Sequence, residues 1–310
     1  MDPRRPSSET RFRDKPLITM NKNLRPAFFI VAFAFKLLAA DAEPFSDRIT
    51  VEVRGEGPDV LLIPGLACSS AVWDGITKQL EGHYRLHLVQ VAGFAGSPSR
   101  ANASGPVIQP TVNALDAYIK KHDLHQPVVI GHSLGGLMAM MLALQHPRDT
   151  GKLMIVDSFP FLGILTGASD AAAAEPQAAV RRDKILSETQ EDYAQGERRF
   201  LTSLVKSPEG LKAATDWAIA SDKAVVARAF YEAVTIDLRP KLSDIKTPVT
   251  VLYPWDPAHR FAQADTDRLY RENFASLPNK TVVCISNSYH FIMFDQPEVF
   301  AAKVEEFLKR

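Results

Sequence analysis

The pentapeptide Gly131-His132-Ser133-Leu134-Gly135 constrains this chain more than any other feature, because it joins a short apolar run, residues 127–130, to an apolar helical stretch, residues 134–145. A strand that turns directly into a helix through such a sequence makes a sharp, strained bend that lifts the central serine above the sheet. Gly131 and Gly135 leave space where a larger side chain would collide with neighbouring backbone. A glycine-rich turn with an exposed serine would match the bare pattern, and the strand-turn-helix setting is what favours a nucleophile at Ser133.

A serine hydroxyl is a poor nucleophile at neutral pH, so it needs a base to take its proton and donors to hold the oxyanion that follows. His290 is the expected base: it follows the last β-rich run and precedes the final helical stretch, in a loop that opens onto the same sheet edge as the serine. His83, His87, His122, His125 and His146 fall near helix ends or polar connections, and His259 is the rival, close behind Asp256. His132 points away from the neighbouring serine and reads as packing.

An acid must then orient the imidazole and stabilise its protonated form. Asp256, in Tyr253-Pro254-Trp255-Asp256-Pro257, follows the run 249–252 and fits the chain order serine, acid, histidine. Asp157, after the run 153–156, is the second choice. Oxyanion donors are backbone groups, expected at Leu134, immediately after the serine, and at Leu66 in the glycine turn Pro64-Gly65-Leu66-Ala67.

The wider pattern sets these residues in one sheet. Short, largely apolar runs at 49–53, 60–63, 86–91, 127–130, 153–156, 249–252 and 281–285 alternate with helical stretches at 71–80, 111–122, 134–145 and 297–308. That alternation specifies an α/β fold with a mainly parallel sheet covered on both faces. Residues 162–221 break it, with helical stretches rich in Ala, Glu, Lys and Arg and no convincing strand, so a helical insertion is expected there. The expected organisation is an N-terminal extension over 1–42, a core over 43–161, the insertion over 162–221, and the rest of the core over 222–310.

From about Thr50 to Leu308 the chain resembles the α/β-hydrolase superfamily, in its capped esterase and lipase-like branch. The resemblance rests on Pro64-Gly65-Leu66, on the turn Gly93-Phe94-Ala95-Gly96-Ser97, on Ser133 in its turn, on Asp256 and on His290-Phe291. It implies an eight-stranded sheet, a helical cap inserted after the sixth strand, and cofactor-free ester hydrolysis. It also implies Ser133 as nucleophile, His290 as base, Asp256 as acid, and Leu66 and Leu134 as oxyanion donors. Lactone, thioester, amide and carbon–carbon bond cleavage use the same constellation and stay open, as does a non-enzymatic ligand-binding module with slow turnover. Two departures from the family pattern stand out. Pro64 occupies the position where histidine is common, and the turn after the fourth strand carries Gln90, Ala92 and Ala95 in place of an acidic residue, a proline and a second glycine.

The expected substrate follows from Phe159, Phe161, Leu162, Ile164 and Leu165 after the sixth strand and from Phe200, Leu204 and Trp217 further on, which would roof an acyl pocket. Phe161, Leu162 and Trp217 are the chosen substrate contacts, for apolar acyl or aryl esters. Lys plus Arg and Asp plus Glu each number 36, so no global field draws the chain to nucleic acid or an anionic membrane. No metal-ligand spacing or phosphate-binding glycine loop is present, and no cofactor or metal is expected.

Near the N-terminus, Met20, Lys22 and Arg25 lead into an apolar run that Lys36 interrupts, followed by Ala40-Asp41-Ala42. This is the layout of a secretory signal with cleavage after Ala42, for a protein in the periplasm or secreted. The apolar run falls short of the roughly 20 residues a spanning helix needs, so no stable membrane span is expected. Cys68 follows a central strand and Cys284 lies on the sheet's edge, too far apart to bridge.

Overall fold

Each of the central parallel strands of the sheet carries a run of β-branched and leucine side chains, and almost all of these are buried, whereas the last, edge strand is largely only half-buried. A computed structural model describes residues 43–44, 46–258 and 261–309. The expected N-terminal extension and His259 lie outside the described residues. The strands are β1 (Glu43–Pro44), β2 (Ile49–Arg54), β3 (Asp59–Ile63), β4 (Arg85–Val91), β5 (Val128–His132), β6 (Lys152–Val156), β7 (Val249–Trp255) and β8 (Lys280–Ser286). They form one eight-stranded sheet in the order β1-β2-β4-β3-β5-β6-β7-β8. Antiparallel pairing joins β1 to β2 and β2 to β4, and every later pair is parallel.

The helices are α1 (Asp74–Leu80), α2 (Ile108–Lys121), α3 (Leu134–Gln145), α4 (Ala171–Ser187), α5 (Gln190–Leu201), α6 (Pro208–Ala220), α7 (Lys223–Thr235), α8 (Gln263–Asn273), α9 (Ile292–Asp295) and α10 (Pro297–Lys309). In α3 ten successive residues, from Leu134 to Ala143, are buried, and a helix apolar all round belongs in the interior. α8 and the single turn α9 lack a strong apolar period and were not among the expected helices. The two-residue β1 likewise carries too little pattern to be expected.

Four helices, α4 to α7, lie between β6 and β7. Each begins at a side chain that accepts from the free backbone N–H groups of the first turn: Asp170 from Ala173, Thr189 from Asp192, Ser207 from Gly210, and Asp222 from Ala224 and Val225. The expected insertion, 162–221, contains α4, α5 and α6, while α7 continues the helical run and packs along α4. α7 is tied to the sheet layer through Glu232, whose carboxylate accepts from the N–H groups of Val107 (2.8 Å) and Ile108 (2.7 Å) at the start of α2.

The turn after β4 is held by Gln90. Its amide nitrogen donates to the carbonyls of Cys68, Val91 and Phe94, and its oxygen accepts from Ser70 N–H. Gln90 thus supplies both donor and acceptor to tie that turn to the loop after β3. Cys68 and Cys284 are both free thiols. Burial pushes the Cys68 thiol up to about 12.

Candidate active site

Ser133 sits between the last residue of β5 and the first of α3 with φ +53°, a left-handed backbone that a residue with a side chain rarely adopts. Its N–H donates to Val156 O (2.9 Å) at the end of β6, and its own carbonyl accepts from Gly136 N–H (2.8 Å). The bend is possible only with glycine on both sides. A Cβ on Gly131 would fall 2.3 Å from Gly135 O, and one on Gly135 would fall 2.2 Å from Ile63 O. Gly65 permits a further approach, since a Cβ there would lie 3.2 Å from the Cβ of Ser133. Leu66 and Leu134, which flank the serine from these two loops, line the same cavity as Ser133 and His290. Leu134 is the first residue of α3, so its N–H has no partner within the helix.

His290 stands in the loop between β8 and α9, and the carboxylate on its ring is that of Asp157. His290 Nδ1 donates to Asp157 Oδ2 at 2.6 Å. Asp157 follows β6 directly, with φ +44°, and its N–H donates to Leu252 O (2.8 Å). Its other oxygen, Oδ1, accepts from the hydroxyl of Tyr270 on α8. Tyr270 is buried in a stack of rings, 4.4 Å from Phe159 and 4.3 Å from Tyr253 between centroids. Burial first, and then the Asp157 charge, hold its phenol well above the ordinary value, so it remains a donor.

The structure therefore departs from the expected partner of the histidine. Asp256 is 3% exposed, but its carboxylate is engaged by the ammonium group of Lys206 and accepts from Ala258 N–H at 2.8 Å. Both aspartates follow apolar strands at one sheet edge, and the side chains supplied from elsewhere in the chain separate them: Tyr270 and His290 at Asp157, Lys206 at Asp256.

His132, expected to serve in packing, also contacts the site. Its Nε2–H donates to the backbone carbonyl of His290 at 3.1 Å, and the two imidazoles lie 4.5 Å apart. Burial, reinforced by the neighbouring His290, holds His132 well below its ordinary value, so the ring is neutral. Its Nδ1 faces Gly65 and has no hydrogen-bond partner among the described residues.

Ser133, Asp157 and His290 line a cavity of about 990 Å³ under the cap. Phe159, Leu162, Phe230 and Val234 give it an apolar wall, while Leu165 and Phe200, 64% and 53% exposed, mark where it meets solvent. Gln177, Arg181, Lys184 and Glu197 add polar groups on the cap side. Of the three expected substrate contacts, only Leu162 lines this cavity. Phe161 is fully buried outside it, with its ring against Gly163 and the Arg239 guanidinium 4.4 Å from the ring centre. Trp217 points into the contact between cap and core, 6.0 Å from the Phe294 ring. Alternation along one short stretch fixes that neighbours diverge, but not which of them faces the cavity.

A carboxylate on Nδ1 leaves the other ring nitrogen of His290 free to accept a proton, and a strained serine at a helix N-terminus places its hydroxyl beside backbone donors. Among the described residues no helix is long and apolar enough to cross a membrane. The one group of potential metal ligands found there, Asp116, His146 and Asp149, already contains the Lys120 ammonium, 2.7 Å from Asp116.

The model of the alpha/beta hydrolase family matches residues 60–303. A pimeloyl-[acyl-carrier protein] methyl ester esterase from Aeromonas salmonicida is 33% identical over 164 residues, covering 49% of this chain and 63% of that protein. The match to its Aeromonas hydrophila counterpart spans 42% of that protein, so the first of these relatives are matched over less than two thirds of their length. The Vibrio cholerae protein of the same name is 25% identical over 84% of this chain and 97% of its own. Among solved structures, a thermophilic esterase from Thermogutta terrifontis superimposes with a TM-score of 0.70 at 19% identity, covering 84% of this chain and 93% of that one. An enol-lactonase from Burkholderia xenovorans LB400 superimposes with a TM-score of 0.69 at 19% identity, over 84% and 96%. With a family match running from β3 into α10 and the same architecture in these structures, the chain belongs to the alpha/beta hydrolase family.

Proposed function

We propose that this protein is a serine hydrolase that cleaves carboxylic esters of apolar acyl or aryl substrates, with Ser133 as nucleophile, His290 as base and Asp157 as acid. The observation that carries it is the contact of His290 Nδ1 with Asp157 Oδ2 at 2.6 Å, in a cavity that Ser133 also lines. His290 takes the proton of Ser133 Oγ as the oxygen attacks the ester carbonyl, and Asp157 stabilises the imidazolium that forms. The N–H groups of Leu66 and Leu134 hold the resulting oxyanion. The imidazolium gives its proton to the departing alcohol, leaving an acyl-Ser133, and a water activated by the same ring releases the acid. The apolar wall of Phe159, Leu162 and Phe230 supports an apolar acyl group. The names of the curated relatives, which cleave a methyl ester, agree with a small alcohol leaving group.

A fluorophosphonate probe tests the reading. Wild type takes the label at one site and Ser133→Ala takes none. Labelling that persists in Ser133→Ala, or no labelling of folded wild type, counts against it.

Export is part of the same proposal, supported by the charged, apolar and Ala40-Asp41-Ala42 succession in the sequence. Fractionation of expressing cells should recover a chain beginning near Glu43 outside the cytosol. Full-length chain confined to the cytosol would count against it.

A further inference from the structure

The segment between α5 and α6 grips the loop that carries His290. Phe291 N–H, one residue past the histidine, donates to Leu204 O at 3.2 Å. Asp295 Oδ1 accepts from the N–H groups of Lys206 (2.9 Å) and Ser207 (3.0 Å), while its Oδ2 accepts from Tyr289 N–H at 2.8 Å, one residue before the histidine. The Lys206 ammonium group meets the Asp256 carboxylate, donates to Asn287 O at 3.3 Å, and lies 5.6 Å from the centre of the Tyr289 ring. Gly210, at the start of α6, lies so close to Phe294 that a Cβ there would be 2.7 Å from that side chain. Residues 287–295 are thus held by the segment between α5 and α6 and by the start of α6.

We propose that Lys206 is a positioning residue for His290, acting through residues 287–291, and that Asp256 serves as its anchor. The inference rests on His290 being the base. Ser133 and Asp157 need no such support, because each extends directly from a central strand, whereas His290 leaves the edge strand β8 in a loop. Asp256 follows β7, beside β8, and is buried, and so gives the lysine a fixed point on the sheet. Lys206 spans from that point to the carbonyl of Asn287 and the ring of Tyr289. Cap closure and alignment of the base become one event, so the cap contributes to the chemical step as well as enclosing the acyl group.

A roof and a clasp predict different kinetics. Loss of a roof contact raises KM for long acyl chains and spares acetate, because a short acyl group scarcely touches the cap. Loss of the clasp lowers kcat for every ester, because the base itself is displaced. The test measures kcat and KM of wild type, Lys206→Met, Lys206→Arg and Asp256→Asn on p-nitrophenyl acetate and butyrate, with melting temperatures alongside. Lys206→Met should lose about 10- to 100-fold in kcat on both esters, the scale of a displacement near 1 Å, with KM within about twofold. Lys206→Arg, which keeps the charge and reach, should recover most of it, and Asp256→Asn should lower kcat without adding to the loss in the double variant. Should the Met variant fail to fold, Lys206→Gln should show a smaller loss, again in kcat alone. An active wild type matched in kcat by these folded variants, or a loss confined to KM for butyrate, overturns the clasp while leaving Ser133 chemistry intact. A wild type inactive on both esters and inert to the fluorophosphonate overturns both.

Discussion

His290 Nδ1 lies 2.6 Å from Oδ2 of Asp157, a residue 133 positions earlier in the chain that follows β6. A carboxylate in that place fixes the imidazole's tautomer and offsets the charge it gains during acyl transfer. Asp157→Asn should therefore lower kcat by about 10³- to 10⁴-fold. Asp256→Asn should cost far less. Steady-state turnover of p-nitrophenyl butyrate by the two variants checks the order, and equal losses would remove Asp157 from its role.

Tyr270 donates to the other oxygen of Asp157. A hydrogen bond to a charged group contributes about 1.5–3 kcal/mol, and Tyr270→Phe removes it while keeping the stacked ring. The variant should lose about tenfold in kcat at unchanged KM. Unchanged kcat would make the tyrosine a packing residue only.

His132 is neutral in the folded protein because burial, and then His290, hold it below its ordinary value. In the unfolded chain it protonates below about 6.5, so under that pH the unfolded state binds more protons than the native one. The stability this group contributes is fully present above about 6.5 and is lost as pH falls below it, by up to about 1.4 kcal/mol per pH unit. The His290 ring packs against it at a tilt and the Gly65 loop faces it, with the Asp157 carboxylate beyond His290. Urea unfolding between pH 7 and 5 should show a shallower loss in His132→Gln, whose amide can still donate to His290 O. Parallel slopes for the two proteins would contradict this.

Leu162 lines the cavity and Trp217 does not. Leu162→Ala should raise KM for p-nitrophenyl butyrate or longer esters about three- to tenfold, as about 1 kcal/mol of apolar contact is removed, with little change for acetate. Trp217→Ala should instead reduce stability by about 1–3 kcal/mol through its packing with Phe294. A chain-length series run beside thermal melting distinguishes the two.

Much of this site was legible because its signals are local. The strand, bend and helix around Ser133 occupy consecutive residues, and His290 could be found by its place after the last strand. The carboxylate that contacts the His290 ring could not be found that way. Asp157 and Asp256 each end an apolar strand, and the choice between them is made by Tyr270 on a helix of weak pattern and by Lys206, 50 residues from Asp256 in the chain. Trp217 shows the same limit on the cap, where a helical stretch can be recognised before its partners are known, and Phe161 shows it just before the cap. Lys206 gave no sign in the sequence, since one lysine between two helices reads as solvated.

The hydrogen bond from Ser133 N–H to Val156 O and the pairing of His132 with Val156 make the serine and Asp157 neighbours at one level, each one residue beyond the last pair of two adjoining parallel strands. Separating them requires opening the middle of the sheet, which in a folded domain approaches the cost of global unfolding. The histidine loop lies at the sheet's edge and is held by the cap segment at Leu204, Lys206 and Ser207 and not by paired strands on both sides. On heating, amide exchange should therefore rise first across residues 287–295 and only later in β5 and β6, and activity should vanish while the sheet is still intact. Loss of the proposed activity on heating would then begin as a reversible loss of register by one imidazole, recoverable on cooling until the central strands open.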